Sequence, residues 1–354
     1  MTPRIEVNDL VIRYGEVVAV SGVSFAIQPG ELVTLLGPSG CGKTSTLRAI
    51  AGLEDPSSGT IRLGGETVFS SAERRNVPTE KRHLSMVFQS YAIWPHMTVA
   101  ENVAYGLTLR KLPRAEVEQT VRRVLDMVRM DGYADRSASK LSGGQQQRVA
   151  VARAIAFSPT VLLFDEPLSN LDAKLRTEMR VEIRELQRQL DVTSVYVTHD
   201  QEEALAISDR IIVMDHGRIE QIGTPETIYN RPGSLFVADF VGAANLIPGR
   251  LAADGVFEAT GGVRLAVAEG GKQDGTTVAL RSSYVELRPE SAAVPDRMNV
   301  AAGMIHRRMF HGDFIQYVVD WPPGQLIVRR PPTEMIDEGA SVRIVCAPEH
   351  CVLL

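Results

Sequence analysis

The sequence has few cysteines, few aromatic residues, little net charge and no long apolar run. Three cysteines in 354 residues fit a reducing compartment. A net charge of −5 and an aromatic content of 6% argue against a nucleic-acid partner. No apolar run approaches the ~18 residues that a membrane span needs, and the first residues lack the apolar core of a signal peptide. We therefore expect a cytoplasmic protein, unless a partner holds it at a membrane.

The sequence does contain a phosphate-loop pattern at residues 37–44. The stretch GPSGCGKT follows a predicted buried strand at residues 31–36 and precedes a predicted helix at residues 45–51. A strand, a glycine-rich turn and a helix N-terminus aim several backbone N–H groups at one point. Lys43 would then reach the β- and γ-phosphates of a nucleoside triphosphate, and the Thr44 hydroxyl would ligate Mg²⁺. The predicted nucleotide-binding residues of this segment are Gly37, Pro38, Ser39, Gly40, Cys41, Gly42, Lys43, Thr44 and Ser45.

Ionisable side chains follow two further predicted strands. Residues 160–164 form a short apolar run that ends in Asp165 and Glu166, as expected of a buried parallel strand with carboxylates at its carboxyl edge. Phosphoryl transfer needs one carboxylate to fix the metal and a neighbour that is free to polarise water. Residues 194–198 predict another core strand, and His199 follows it. The pattern thus places candidate catalytic groups at the ends of buried strands.

The length of the chain predicts two domains. Residues 4–27 alternate apolar and polar side chains and predict antiparallel strands, whereas residues 98–130 have helical periodicity. Past residue 241, short alternating segments lie between Gly and Pro turns and predict all-β structure. We therefore expect an α/β domain over residues 1–242 and an all-β domain over residues 243–354.

A second glycine-rich turn narrows the function. Residues 141–145 read LSGGQ and open a helix, so they form another anion site. Together with the phosphate loop and the run VLLFDE at 161–166, they resemble the nucleotide-binding subunit of an ABC transporter, a P-loop NTPase with a helical subdomain. The resemblance implies two active sites between two subunits in head-to-tail order, each ATP lying between one phosphate loop and the other subunit's LSGGQ loop. Outside the phosphate loop it assigns ATP contacts to Tyr14, Ser142, Gly143, Gly144, Gln145 and Asp172.

The same resemblance assigns catalytic and metal-binding roles. It makes Gln89 a contact of both Mg²⁺ and the attacking water, Asp165 the acid that holds Mg²⁺ through water, and Glu166 the general base. His199 is the switch histidine that contacts the γ-phosphate. Tyr14 would stack on adenine, although a tyrosine at a strand end also fits a structural role.

Further motifs resemble one group of importers. Residues 86–106, 200–205 and 223–226 are similar to subunits that serve ferric iron, polyamines and related solutes, in which small TOBE/OB-like barrels follow the ATPase domain. The resemblance implies a homodimer at the cytoplasmic face of the inner membrane, beneath two integral membrane permease subunits. A periplasmic or lipid-anchored solute-binding protein is the indirect partner. The stretch ETVFSS at 66–71, a marker of lineage only, favours ferric iron as the cargo, whereas QSYA at 89–92 resembles spermidine and putrescine importers at least as well.

Several alternatives accompany this interpretation. A nucleotide-dependent regulator would act through its C-terminal domain on another protein, and hydrolysis without solute uptake would favour it. A soluble ABC ATPase of DNA repair or translation would show a coiled-coil insertion or two ATPase cassettes, and neither is present. The aromatic Trp94 belongs either to a helical core or to a surface that receives a permease. Cys346, His350 and Cys351 lie close together, but their spacing matches no standard zinc pattern.

Overall fold

The computed structural model describes residues 2–253, 255–269, 274–333 and 335–354. The chain divides into two compact units, Met1–Pro225 and Glu226–Leu354. The expected domain boundary at 242/243 stays a prediction. In the structure the division between the two compact units lies earlier in the chain, between residues 225 and 226. Within the second unit, the Arg281 guanidinium donates to the main-chain oxygens of Tyr229 at 2.9 Å and Ala238 at 2.7 Å. These bonds attach the segment before residue 242 to the β-structure that follows it.

The first unit combines strands and helices in alternation. Its strands are β1 (Ile5–Tyr14), β2 (Val17–Ile27), β3 (Leu32–Leu36), β4 (Ser58–Leu63), β5 (Glu66–Ser70), β6 (Arg75–Asn76), β7 (Leu84–Val87), β8 (Val161–Asp165), β9 (Thr193–Thr198), β10 (Arg210–Asp215) and β11 (Arg218–Gly223). Its α-helices are α1 (Lys43–Ala51), α2 (Val99–Leu109), α3 (Arg114–Met127), α4 (Gly143–Ile155), α5 (Ala173–Leu190) and α6 (Gln201–Ile207). Short 3₁₀ turns span Thr79–Lys81, Asp131–Tyr133 and Ala138–Lys140.

A six-stranded sheet in the order β11-β10-β3-β9-β8-β7 forms the centre of this unit. β3 pairs in parallel with β10 and β9, and β8 pairs in parallel with β9 and β7. Every residue of β3, β8 and β9 is buried, which explains the apolar runs in the sequence. The carboxyl ends of these strands share one edge, where sheets of this kind bind ligands.

A five-stranded antiparallel sheet, in the order β2-β1-β4-β5-β6, covers the central sheet. Ile5 and Val7 of β1 belong to the same hydrophobic cluster as Leu35 of β3 and Val195 of β9. The two sheets therefore pack on a common core, and the antiparallel strands expected over residues 4–27 are confirmed.

The helical part of the unit contains α2, α3 and α4, which share one hydrophobic cluster. The region 98–130 holds two helices, because the backbone at Lys111 is left-handed (φ 58°) and Pro113 precedes α3. A proline disfavours the helical conformation of the residue before it. The helical periodicity predicted for this region is confirmed by its apolar side chains: Val121, Val124, Leu125 and Val128 are buried in the cluster and Val117 is partly buried against it.

The second unit is built from two sheets, as the all-β prediction requires. Its helices are α7, which begins in the preceding unit (Pro225–Asn230), and α8 (Leu235–Phe240), with 3₁₀ turns at Ser282–Tyr284 and Pro348–His350. Its strands are β12 (Asn245–Leu251), β13 (Phe257–Ala259), β14 (Arg264–Leu265), β15 (Thr277–Leu280), β16 (Glu286–Pro289), β17 (Asn299–Phe310), β18 (Ile315–Trp321), β19 (Gly324–Arg330), β20 (Ser341–Cys346) and β21 (Val352–Leu353). The sheets have the orders β14-β13-β12-β15-β21 and β16-β20-β17-β18-β19, and one buried cluster includes side chains of both.

Two features of the sequence carry over into the structure of the described residues. No helix there is both long and apolar enough to cross a bilayer. Cys346 and Cys351 are buried with their sulfur atoms 3.8 Å apart, whereas the His350 ring stacks on Tyr284 with a centroid distance of 4.0 Å. Within the same residues, no group of three or more His, Cys, Asp or Glu side chains is arranged to hold a metal ion.

Replacement of Leu35 by Ala tests whether β3 anchors the first unit. Leu35 is fully buried at the centre of the sheet, so Leu35→Ala should lower the free energy of unfolding by about 2–5 kcal/mol. The matched control is Val17→Ala, because Val17 is 65% exposed and its loss should change stability by about 0.5 kcal/mol or less. Urea denaturation followed by circular dichroism measures both variants. Equal effects of the two substitutions would contradict this view of the core.

Candidate nucleotide-binding site

Residues 37–42 connect β3 to α1 and form the candidate phosphate-binding loop. A side chain at Gly37 would collide with the main-chain oxygen of Met214, and a Cβ at Gly42 would lie 2.5 Å from the main-chain oxygen of Ala19. Gly42, whose φ is 99°, also precedes the first residue of α1. The pattern of glycines thus lets the loop pack closely on its neighbours and leaves the helix N-terminus open to an anion.

Lys43 lies inside this loop, and only 4% of the residue is exposed. Its Nζ donates to the main-chain oxygens of Gly37 at 2.9 Å and Pro38 at 2.8 Å. Cys41 Sγ is 3.8 Å from the same nitrogen, and burial raises the pKa of the Cys41 thiol, which favours its neutral form. The loop therefore surrounds one cationic group, while Ser39 and Gly40 are exposed at its tip.

Thr44 and Asp165 meet although they belong to different segments. Thr44 Oγ1 donates to Asp165 Oδ1 at 3.0 Å, and Arg48 Nη2 lies 3.4 Å from Asp165 Oδ2. A hydroxyl and a buried carboxylate side by side are oxygen donors of the kind that Mg²⁺ prefers. Two of the three predicted metal-binding residues, Thr44 and Asp165, are therefore brought together, and their oxygen donors fit the ion.

Sequence reasoning missed Arg48 at this point. The sequence could have indicated this contact. Arg48 lies four residues after Thr44 in α1, and residues at that spacing share one face of a helix. In the structure its Nη2 donates to Asp165 Oδ2.

Glu166 and His199 form the second half of the site. β8 and β9 are parallel neighbours, so the residues that follow them lie side by side. Glu166 Oε2 is 3.2 Å from His199 Nδ1. The Glu166 backbone is left-handed (φ 44°), its N–H donates to the main-chain oxygen of Val197, and its carbonyl oxygen accepts from the Ser169 hydroxyl at 3.0 Å. The predicted base and switch histidine are therefore in direct contact.

Gln89 and Asp172 lie on segments next to these residues. Gln89 follows β7, is exposed, and accepts at its main-chain oxygen from Asn170 Nδ2 at 2.9 Å. Asp172 is the N-cap of α5, where Oδ1 accepts from the Leu175 N–H at 3.0 Å. The loop at residues 169–172, here called the aspartate loop, thus joins the segments that carry Gln89 and Glu166.

Tyr14 lies at the end of β1, and 47% of the residue is exposed. Its hydroxyl is 3.2 Å from Ser45 Oγ in α1. This contact places an exposed aromatic ring beside the phosphate-binding loop, as adenine stacking would require.

The LSGGQ loop is built separately from the phosphate-binding loop. Ser142 is the N-cap of α4, its hydroxyl accepts from the Gln145 N–H, and Gln145 Oε1 accepts from the Ser142 N–H at 3.0 Å. Gly143 and Gly144 open the helix. In the described part of the chain, no hydrogen bond joins residues 142–145 to residues 37–45. One chain thus presents two distinct candidate anion sites.

Comparisons with known proteins agree with this geometry. A family model described as ABC transporter matches residues 20–169, and one described as TOBE domain matches residues 285–354. The Fe(3+) ions import ATP-binding proteins FbpC of Photorhabdus laumondii and Escherichia coli are 43% and 44% identical. The alignments cover 94% and 92% of this chain and 91% and 90% of those proteins.

Two further relatives extend the comparison. The Spermidine/putrescine import ATP-binding protein PotA of Clostridium novyi is 42% identical over 89% of this chain and 88% of its own length. The solved structure of cbiO1 from Clostridium perfringens, part of the ABC transporter complex cbiONQ, has a TM-score of 0.59 and 28% identity. The matched region covers 64% of this chain and 91% of the cbiO1 chain. The expected P-loop fold followed by a TOBE-type domain is confirmed.

Replacement of Glu166 by Gln tests its role as the base. The amide preserves the shape of the side chain but cannot take a proton from water, so ATP turnover should fall by about 100-fold or more. Phosphate release by the purified chain measures the loss, and binding of a fluorescent ATP analogue should stay unchanged. Glu178→Gln is the matched control, because Glu178 is an exposed residue of α5 and its loss should leave turnover intact. Near-normal turnover of the Glu166 variant would show that another group is the base.

Proposed function

The chain belongs to the family of ATP-hydrolysing subunits of ABC transporters, and we propose that it powers a membrane importer for ferric iron. The observation that carries this proposal is the identity of 43–45% with ferric-iron import subunits over nearly the whole chain. The second unit supports it as well, since residues 285–354 match the TOBE domain.

In the proposed mechanism the phosphate-binding loop holds ATP through its backbone N–H groups and Lys43. Thr44, Asp165 and Gln89 are the residues that would hold Mg²⁺, which neutralises charge on the phosphates when it is bound. Lys43 must exchange its bonds to the carbonyl oxygens of Gly37 and Pro38 for phosphate oxygens.

Glu166 and His199 then act on the attacking water. The oxygen of the water attacks the γ-phosphorus, and the bond between the γ-phosphorus and the leaving β-phosphate oxygen breaks. Glu166 accepts the proton that the water loses. His199 Nδ1, 3.2 Å from Glu166 Oε2, fixes the orientation of that carboxylate. This division leaves Asp165 to the metal and Glu166 to the proton.

The proposed assembly is a homodimer in which the LSGGQ loop of each chain completes the site of the other. The separation of that loop from the phosphate-binding loop within one chain supports this arrangement. The ATPase would act at the cytoplasmic face of the membrane beneath two permease subunits.

Trp94 is a candidate contact for the permease subunits. It is half-buried, its ring centroid lies 4.5 Å from that of Tyr105, and the Arg153 guanidinium lies over it at 4.8 Å. Tyr91, by contrast, is buried in the core.

A polyamine is the second candidate cargo. The similarity to the spermidine and putrescine import subunit, at 42% identity, is nearly as high as that to the ferric-iron subunits. The cargo would contact the solute-binding protein and the permease subunits, so a transport measurement distinguishes the two candidates.

Uptake in a strain that lacks this chain distinguishes the two cargoes. Deletion should abolish uptake of labelled ferric iron and leave uptake of labelled spermidine intact. The wild-type gene should restore iron uptake, whereas the Glu166→Gln variant should not, because transport depends on hydrolysis. Normal iron uptake with lost spermidine uptake would reverse the assignment, and loss of neither would place the cargo outside both groups.

A further inference from the structure

Arg176 of α5 contacts two loops that carry proposed site residues. Its Nη2 donates to the main-chain oxygen of Leu171 in the aspartate loop at 3.1 Å. Its Nη1 donates to Asp200 Oδ2 at 3.3 Å, and its Nε lies 3.9 Å from Glu203 Oε1. One guanidinium therefore bridges the segment before Asp172 and the segment after His199.

The segment around His199 is held from both sides by the partners of Arg176. The Asp200 N–H donates to Thr198 Oγ1 at 3.0 Å, and Asp200 Oδ1 caps α6 by accepting from the N–H groups of Glu202 and Glu203. Glu203 is buried, and its Oε2 accepts from the hydroxyls of Tyr196 at 3.0 Å and Thr198 at 2.8 Å. Movement of Asp200 therefore alters the backbone on the carboxyl side of His199.

The aspartate loop and the first turn of α5 also pack against the LSGGQ loop of the same chain. A Cβ added to Gly144 would lie 2.7 Å from Leu175 Cδ2, and one added to Gly143 would lie 3.3 Å from Leu171 Cδ2. The two glycines thus admit leucines from the aspartate loop and the first turn of α5. A shift of either loop must be transmitted to the other, because close-packed side chains leave no room for independent motion.

We propose that Arg176 is a positioning residue that couples the LSGGQ and aspartate loops to His199 within one chain. The proposal rests on the proposed ATPase function and deepens it. ATP bound against the LSGGQ loop of a chain would act on Leu171 and Leu175, and Arg176 would pass that displacement to Asp200 and hence to His199. The site that uses His199 would thereby respond to occupation of the other site.

An arginine suits this role better than a lysine. The planar guanidinium offers separate N–H groups in a fixed fork, so it can reach Leu171 and Asp200 together. A lysine ammonium is a compact point charge that would keep the attraction to Asp200 without the fixed geometry. The conservative variant therefore separates charge from positioning.

The test compares steady-state ATP hydrolysis by the purified full chain and its variants. For Arg176→Gln we expect kcat to fall about 10-fold or more with KM for ATP within about twofold, because the catalytic geometry is displaced while the phosphate-binding loop is untouched. Arg176→Lys should have an intermediate kcat and the same KM. Arg184→Gln is the matched control: Arg184 lies in the same helix and pairs with Asp209, away from the site loops. It should leave both constants unchanged even if the melting temperature falls.

A double-mutant cycle with Asp200→Asn identifies the route. Asparagine remains a good helix cap, so this variant removes mainly the charge that Arg176 contacts. Arg176→Gln and Asp200→Asn should each lower kcat, and the double variant should be no slower than the slower single variant. A normal kcat for Arg176→Gln, fully additive losses, or an equal loss in Arg184→Gln would each overturn the proposal. The readout is ATP turnover, so a wrong assignment of the cargo would leave this test intact.

Discussion

The hydrogen bond from Thr44 Oγ1 to Asp165 Oδ1 depends on the order of the parallel strands. Thr44 lies in α1, which follows β3, and Asp165 ends β8, and β9 lies between those two strands in the sheet. The same edge receives His199 from β9 and Gln89 from the segment after β7. Because β3, β8 and β9 are fully buried and paired in register, the backbone positions of Thr44, Asp165 and His199 are fixed relative to one another. The chemistry of the site is thus a consequence of sheet topology.

The backbone at Glu166 shows how the structure uses that rigidity. A residue other than glycine in the left-handed region costs about 1–3 kcal/mol. At Glu166 the conformation is held by its N–H bond to Val197, by the Ser169 hydroxyl at its carbonyl oxygen and by the contact with His199. Asp165 and Glu166 are adjacent in sequence, yet the first meets Thr44 and the second meets His199. The turn in the backbone thus directs the two carboxylates to different partners, as the proposed metal-binding role of Asp165 and the proposed proton-accepting role of Glu166 require.

The sequence predicted the parts of this arrangement that depend on local pattern. The phosphate loop, the buried strands and the acids after β8 follow from glycine spacing and apolar runs, and the structure places Thr44, Asp165, Glu166 and His199 together. The sequence alone could not predict contacts that depend on how distant segments of the chain meet. In the sequence, Arg176 is one of many charged residues on an amphipathic helix. Only the fold shows that it contacts both Leu171 and Asp200. The roles of the site residues in catalysis stay predictions.

The central claim is that two chains share each nucleotide, and mixed dimers test it most directly. Heterodimers are prepared with Lys43→Ala and Ser142→Arg either both on one chain or on different chains, and the number of ATP molecules bound is measured. If the sites are shared head to tail, placing the two changes on different chains puts both defects in one site. The other site then remains intact and binds one ATP with wild-type affinity. Both changes on one chain should instead damage both sites, and identical binding by the two heterodimers would contradict the account.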